Sequence, residues 1–175
     1  MKREEIVQKL SSAYQSYNSY VKDLTGDEFE YAPDGKWSAG QQTEHLIKST
    51  KPLLNGLGFP KFVLKSKFGK ANRPSRSYEQ VVDRYKEKLE QGGKATSPYV
   101  PGKVPAAVQE KLCTELTDII EKMGKKIEKW SEEQLDEFIL PHPLLGKITV
   151  REMLYFTTHH AAHHQLLIKL YLKGV

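Results

Sequence analysis

Apolar side chains recur along most of this chain at steps of three and four, the spacing of one helix face. Ile6, Leu10, Tyr14, Tyr17, Val21 and Leu24 make such a stripe from Glu4 to Leu24, and Gly26 and the stretch up to Gly35 end it. Leu46, Ile47, Thr50, Leu53 and Leu54 make a second, opened at Ser38 by the capping box Ser38-Ala39-Gly40-Gln41 and stopped by Gly56 and Gly58. Pro52 lies inside it and predicts a bend, because proline lacks an N–H and clashes with the carbonyl four residues earlier. A shorter helix is predicted from Ser77 to Gln91, with its own capping box at Ser77–Gln80, an apolar face of Val81, Val82, Tyr85 and Leu89, and Gly92-Gly93 as its end. Three prolines and a glycine between Pro98 and Pro105 read as an extended connection. Leu112, Leu116, Ile119, Ile120, Met123, Ile127 and Trp130 stripe a helix from Ala106 to Trp130, which Gly124 weakens by about 1 kcal/mol relative to alanine. Pro141-His142-Pro143 and Gly146 mark a turn. A third capping box, Thr149-Val150-Arg151-Glu152, opens a last helix to Lys173, on which Met153, Phe156, His160, His164, Leu167 and Tyr171 share one face.

No segment pair reads as strands. Four long amphipathic helices and one short one predict an all-α fold: an antiparallel four-helix bundle with a long crossover carrying a short extra helix. With 175 residues and no internal repeat or linker, the expectation is a single domain over 1–175.

Composition narrows the setting. No run approaches the roughly 18 apolar residues of a membrane span, and Met1-Lys2-Arg3-Glu4-Glu5 has no apolar core of a secretory signal. The single cysteine, Cys113, excludes an internal disulfide and suits a reducing cytoplasm; Leu112 and Leu116 beside it point to a buried thiol. Net charge is +5, unevenly spread: Lys61, Lys65, Lys67, Lys70, Arg73 and Arg76 fall in one stretch without an acidic residue. A solvated basic loop is the favoured reading over a nucleic-acid patch, although Phe62 and Phe68 could stack bases.

Four of the six histidines fall in His159-His160-Ala161-Ala162-His163-His164. Residues four apart share a helix face, so His159/His163 and His160/His164 are two candidate metal-ligand pairs. The second continues the Met153–Phe156 stripe into the bundle, which leaves His159 and His163 toward the flank; His163 is a candidate hydrogen-bond partner for a ligand ring. A third ligand must come from elsewhere. His45, on the second long helix beside Leu46-Ile47, is preferred over His142 in its loop, because bundle-core sites are built from facing helices. A surface histidine tract without function and a merely satisfied His45 are the competing readings.

These residues resemble a known family. Gly35-Lys36-Trp37-Ser38-Ala39-Gly40-Gln41 followed by Glu44-His45-Leu46, then Gly146–Glu152, then His160-Ala161-Ala162-His163-His164, are similar in order and spacing to signatures of the DinB/YfiT-like superfamily. The resemblance implies a four-helix bundle, often homodimeric, and a divalent metal ion, commonly zinc or nickel, held by His45, His160 and His164. It implies activities such as low-molecular-weight-thiol (bacillithiol- or mycothiol-dependent) S-transfer, or metal-dependent hydrolysis of a small-molecule substrate. One departure is visible: where the family often has a glutamine three residues after the final histidine, this chain has Leu167, with Gln165 next to His164. A non-catalytic metal-binding or stress protein is the alternative. No general base is evident; Gln41, Glu44, Tyr155 and Tyr171 are the polar candidates.

Overall fold

In the computed structural model, which describes residues 1–173, the chain forms α1 (Arg3–Lys22), α2 (Gly26–Glu30), α3 (Ala39–Gly56), α4 (Lys61–Phe68), α5 (Tyr78–Glu90), α6 (Gln109–Ile127), α7 (Glu132–Glu137), β1 (Ile139–His142), β2 (Gly146–Thr149) and α8 (Val150–Leu172). The stripes read from the sequence become the core. Ile6, Leu10, Tyr14, Tyr17 and Val21 of α1 are buried against Cys113, Leu116, Ile120, Met123 and Ile127 of α6, and each such fully buried apolar side chain contributes about 1.5–3 kcal/mol.

The four long helices α1, α3, α6 and α8 form the bundle. Their directions follow from the cross-links. Asn18 of α1 meets the Cys113 carbonyl of α6, while a Cβ at Gly124 would touch Val7, so these two run antiparallel. Gln42 pairs with His164 and His45 with His160, so α3 and α8 are antiparallel too. By contrast, α1 and α8 run the same way, with Met1 at Tyr155 and Ser16 at Gln165. So do α3 and α6, with Lys51 at Glu115 and Leu57 at Trp130. Two parallel helices cannot be joined by a tight turn, which explains the long crossover from α3 to α6. It carries α5, the short extra helix expected there, which packs on α8, and also α4.

Several expectations are corrected. The stretch from Lys61 is not a loop throughout: it begins with α4, whose Leu64 is buried. Its charges are largely engaged. Lys61 lies over the Trp130 ring, Lys70 pairs with Glu137, and Arg73 and Arg76 both reach Glu152. A strand pair does exist: β1 and β2 form an antiparallel hairpin, too short and too proline-rich to show alternation. Gly146 closes its turn at φ +73, a conformation glycine adopts without Cβ strain. The short helices α2 and α7 start from capping boxes at Thr25/Glu28 and Ser131/Gln134. Trp130 lies beyond α6, its indole N–H donating to the Leu57 carbonyl at 3.2 Å. α3 continues through Pro52 to Gly56. The Pro98–Pro105 connection is entered through a 3₁₀ turn at Ser97–Tyr99. Cys113 is fully buried, and burial pushes its thiol up to about 11, which suits packing rather than reactivity.

Candidate metal centre

The capping box at Ser38 starts α3 so that Gln42 and His45 share a face, and Gly40 allows the close approach this needs. A Cβ there would come within 2.6 Å of the Phe29 ring of α2. Across from this face, the capping box at Thr149 fixes the register of α8, every residue of which is buried from Val150 to Thr158. The two registers bring three rings together. Nε2 of His160 lies 3.2 Å from Nε2 of His45 and 3.0 Å from Nε2 of His164. All three residues are buried.

The outer nitrogens decide the chemistry. Nδ1–H of His45 donates to the Tyr99 carbonyl at 2.7 Å, and Nδ1–H of His164 donates to Oε1 of Gln42 at 2.9 Å. Gln42 is itself oriented by its amide N–H₂, which donates to the Trp37 carbonyl at 3.2 Å. Both rings therefore present a bare Nε2 lone pair inward. A proton on His160 Nε2 could satisfy only one of them. A cation would satisfy all three lone pairs, so the donor set fits a divalent ion, and nitrogen ligands of this kind suit zinc or nickel.

Electrostatics point the same way. Burial, then the neighbouring histidines, holds His160 and His164 well below the ordinary histidine range. Burial also lowers His45, against the raising effect of its bond to Tyr99. The trio is neutral near pH 7, the state in which imidazole binds metal.

The three rings lie in the wall of a cavity of about 600 Å³, within the usual size of a small-molecule site. Trp37, Tyr85, Leu89, Phe156, Leu167 and Tyr171 give it a mainly apolar lining, and no Asp or Glu among the described residues lines it. His163 also lines it, its ring 5.1 Å from that of His164, and burial pushes it down to about 4. His142 lines it too, behind the Phe156 ring from His160, but is not one of the three residues whose ligand atoms converge. His159 stands half-buried at the edge of Tyr85.

Some polar candidates have other work. Gln41 donates to the Gly102 carbonyl, Glu44 accepts from the Gly102 N–H and Lys48 donates to the Val100 carbonyl. That face of α3 straps the crossover over the site and holds the Tyr99 carbonyl against His45. Tyr155 is away from the cavity, bonded to Met1 and packed on Tyr78. Tyr171 does line it. Gln165 bonds to Ser16 of α1 instead of supporting a ring. Gln42 and Tyr99 are the supporting groups that sequence reasoning missed. Gln42, three residues before His45, was discoverable from helical spacing; Tyr99 acts through its carbonyl, which no side-chain pattern reveals.

These features define a class: a four-helix bundle with a buried three-histidine centre that could hold a metal ion. Within that class the chain belongs to the DinB superfamily, whose family model matches residues 9–168. Among solved structures, it is similar to YfiT from Bacillus subtilis, described as a probable metal-dependent hydrolase with an unusual four-helix bundle topology. The TM-score is 0.63 at 15% identity, over 98% of this chain and 86% of that one, a likeness of fold. A search of the curated proteins finds no match. Among the described residues no helix is long and apolar enough to cross a membrane.

Proposed function

We propose that this protein is a divalent-metal-dependent enzyme, with zinc or nickel held by His45, His160 and His164, that transfers a low-molecular-weight thiol of the bacillithiol type to a small electrophile. One observation carries the reading: the Nε2 atoms of three neutral imidazoles converge in the wall of a cavity that no Asp or Glu among the described residues lines. A divalent ion held there supplies Lewis acidity that lowers the pKa of a bound thiol or water. A thiol, with an ordinary pKa of about 8.5, needs little further help to ionise at neutral pH, whereas water needs far more. The thiolate sulfur attacks the electrophilic carbon, the S–C bond forms, and the carbon–leaving-group bond breaks with its electron pair on the leaving group. The thiol proton passes to solvent. Trp37, Tyr85 and Phe156 exclude water around the reacting atoms, and Tyr99 and Gln42 orient the rings of His45 and His164.

Hydrolysis is the second reading. YfiT's description supports it, as does neutral His163, which lines the cavity and could accept a proton from water. The cellular setting we propose is cytoplasmic, in keeping with one buried cysteine, and the working form a homodimer. Zinc-loaded protein should accelerate conjugation of cysteine to monobromobimane over the chelated control. Acceleration of 4-nitrophenyl acetate hydrolysis alone would favour the second reading, and neither activity would leave a binding protein.

A further inference from the structure

The hairpin histidine has a role that the three-histidine centre leaves unexplained. His142 ends β1, opposite Gly146 in the β1–β2 register, and the intervening turn folds back on its ring. Nδ1 of His142 accepts the backbone N–H of Leu144 at 3.2 Å and of Leu145 at 3.1 Å. A ring nitrogen that accepts two N–H groups carries no proton, so the proton of this neutral imidazole is on Nε2. The tautomer is thus fixed by the backbone. The ring is held edge-on to Phe156, with centroids 4.2 Å apart, and Phe156 in turn packs on His160 at 4.7 Å.

His142 lines the cavity, and its Nε2–H has no acceptor among the described residues. Its neighbours in that wall, Leu140, Pro141, Pro143 and Leu144, offer apolar side chains. The ring is only half-buried and this donor is open to the cavity, so water meets it until a ligand oxygen takes the place of that water. A neutral acceptor would match it better than a carboxylate, whose desolvation against these side chains is far more expensive.

We propose that His142 is a substrate-binding hydrogen-bond donor, and that the cavity selects a small, largely apolar molecule with a carbonyl-type oxygen placed one aromatic ring's breadth from His160. The proposal rests on the enzyme reading only in calling the occupant a substrate, because the donor and its cavity exist without the reaction.

The test uses zinc-loaded full-length protein and two probes of one shape: acetophenone, and α-methylstyrene, in which a CH₂ group replaces the carbonyl oxygen. His142→Asn keeps a side-chain acceptor for the turn N–H groups, as in an Asx turn, and removes the outer donor. Acetophenone affinity should fall roughly tenfold in His142→Asn, while that for α-methylstyrene stays unchanged. In the wild type, acetophenone alone should shift the His142 Nε2 resonance in a long-range ¹⁵N–¹H spectrum, a readout that needs no variant to fold. Equal changes for both probes, an Nε2 signal unmoved at the solubility limit of acetophenone, or a spectrum placing the proton on Nδ1 would each overturn the proposal. Loss of thiol conjugation with these shifts intact would remove the reaction and keep the site; the reverse would keep the reaction and remove the role of His142.

Discussion

The two halves of α8 both bury polar groups, yet they resolve that burial in opposite ways. At the start of the helix, Glu152 is fully buried and matched on every side. Arg73 meets it with two bonds at 2.6 and 2.8 Å, the Arg76 N–H donates to it at 2.7 Å, and the Thr149 N–H at 3.1 Å. Burial pushes its carboxyl up, but Arg73 and the backbone donors outweigh this and hold it below the usual carboxylate range. Arg151 beside it is paired with Asp136 and Glu132. Two turns later, His160 and His164 face His45 with no carboxylate partner among the described residues, and at most one proton can lie between ring nitrogens that all converge. A matched cluster holds a fold together. An unmatched cluster of bases is arranged for something positively charged that comes from outside.

The contrast predicts a separation of effects. The largest should come from Glu152→Ala, which strands two arginines and removes the side-chain half of the capping box of α8. We expect a loss of about 3–5 kcal/mol in urea unfolding, with zinc stoichiometry of the folded fraction unchanged. A loss below about 1 kcal/mol would mean the matched end is not structural. Next, His45→Ala or His160→Ala should weaken zinc by more than about 100-fold, beyond the range for supporting groups, while the metal-free protein unfolds at nearly the same urea concentration. His159→Ala should bind zinc almost as the wild type does; equal loss in all three variants would contradict the inward register. Gln42→Ala should cost about 10–100-fold in zinc affinity, read by competition with a chromophoric chelator.

The smallest effect concerns pH. Buried histidines whose pKa is lowered in the fold bind protons more readily once unfolded, so stability is complete above about 6.5 and declines as pH falls toward the lowered values, about 4 for His142 and His163. The midpoint of thermal unfolding of the metal-free protein should therefore drop by a few degrees between pH 7 and 5.5, at about 2–4 °C per kcal/mol. Exposed histidine ligands would begin to lose metal near pH 6.5. Burial of all three ligands shifts this, and zinc should be retained below that point. A metal-free protein equally stable at both pH values would show that the rings are not buried.

The long helices and the inward His160/His164 pair were legible because a 3.6-residue period records which face is buried. His45 was legible because it adjoins the second stripe. The helix directions were not, since periodicity carries no information about which neighbours run parallel. The hairpin was hidden by its length, and the fixed tautomer of His142 depends on backbone N–H groups that any residue but proline at positions 144 and 145 would supply. Gln41, one turn before His45, could face the site by spacing but is taken up by the Ser38 cap and the Gly102 carbonyl; Glu44, adjacent to His45, is turned about 100° away and accepts from the Gly102 N–H.

The most direct test is an anomalous-scattering map from crystals of protein purified without chelator. The account predicts one divalent ion about 2.1 Å from Nε2 of His45, His160 and His164 together. Crystals of fully zinc-exposed protein with no anomalous peak among those three rings, or with the peak at His159 and His163, would contradict it.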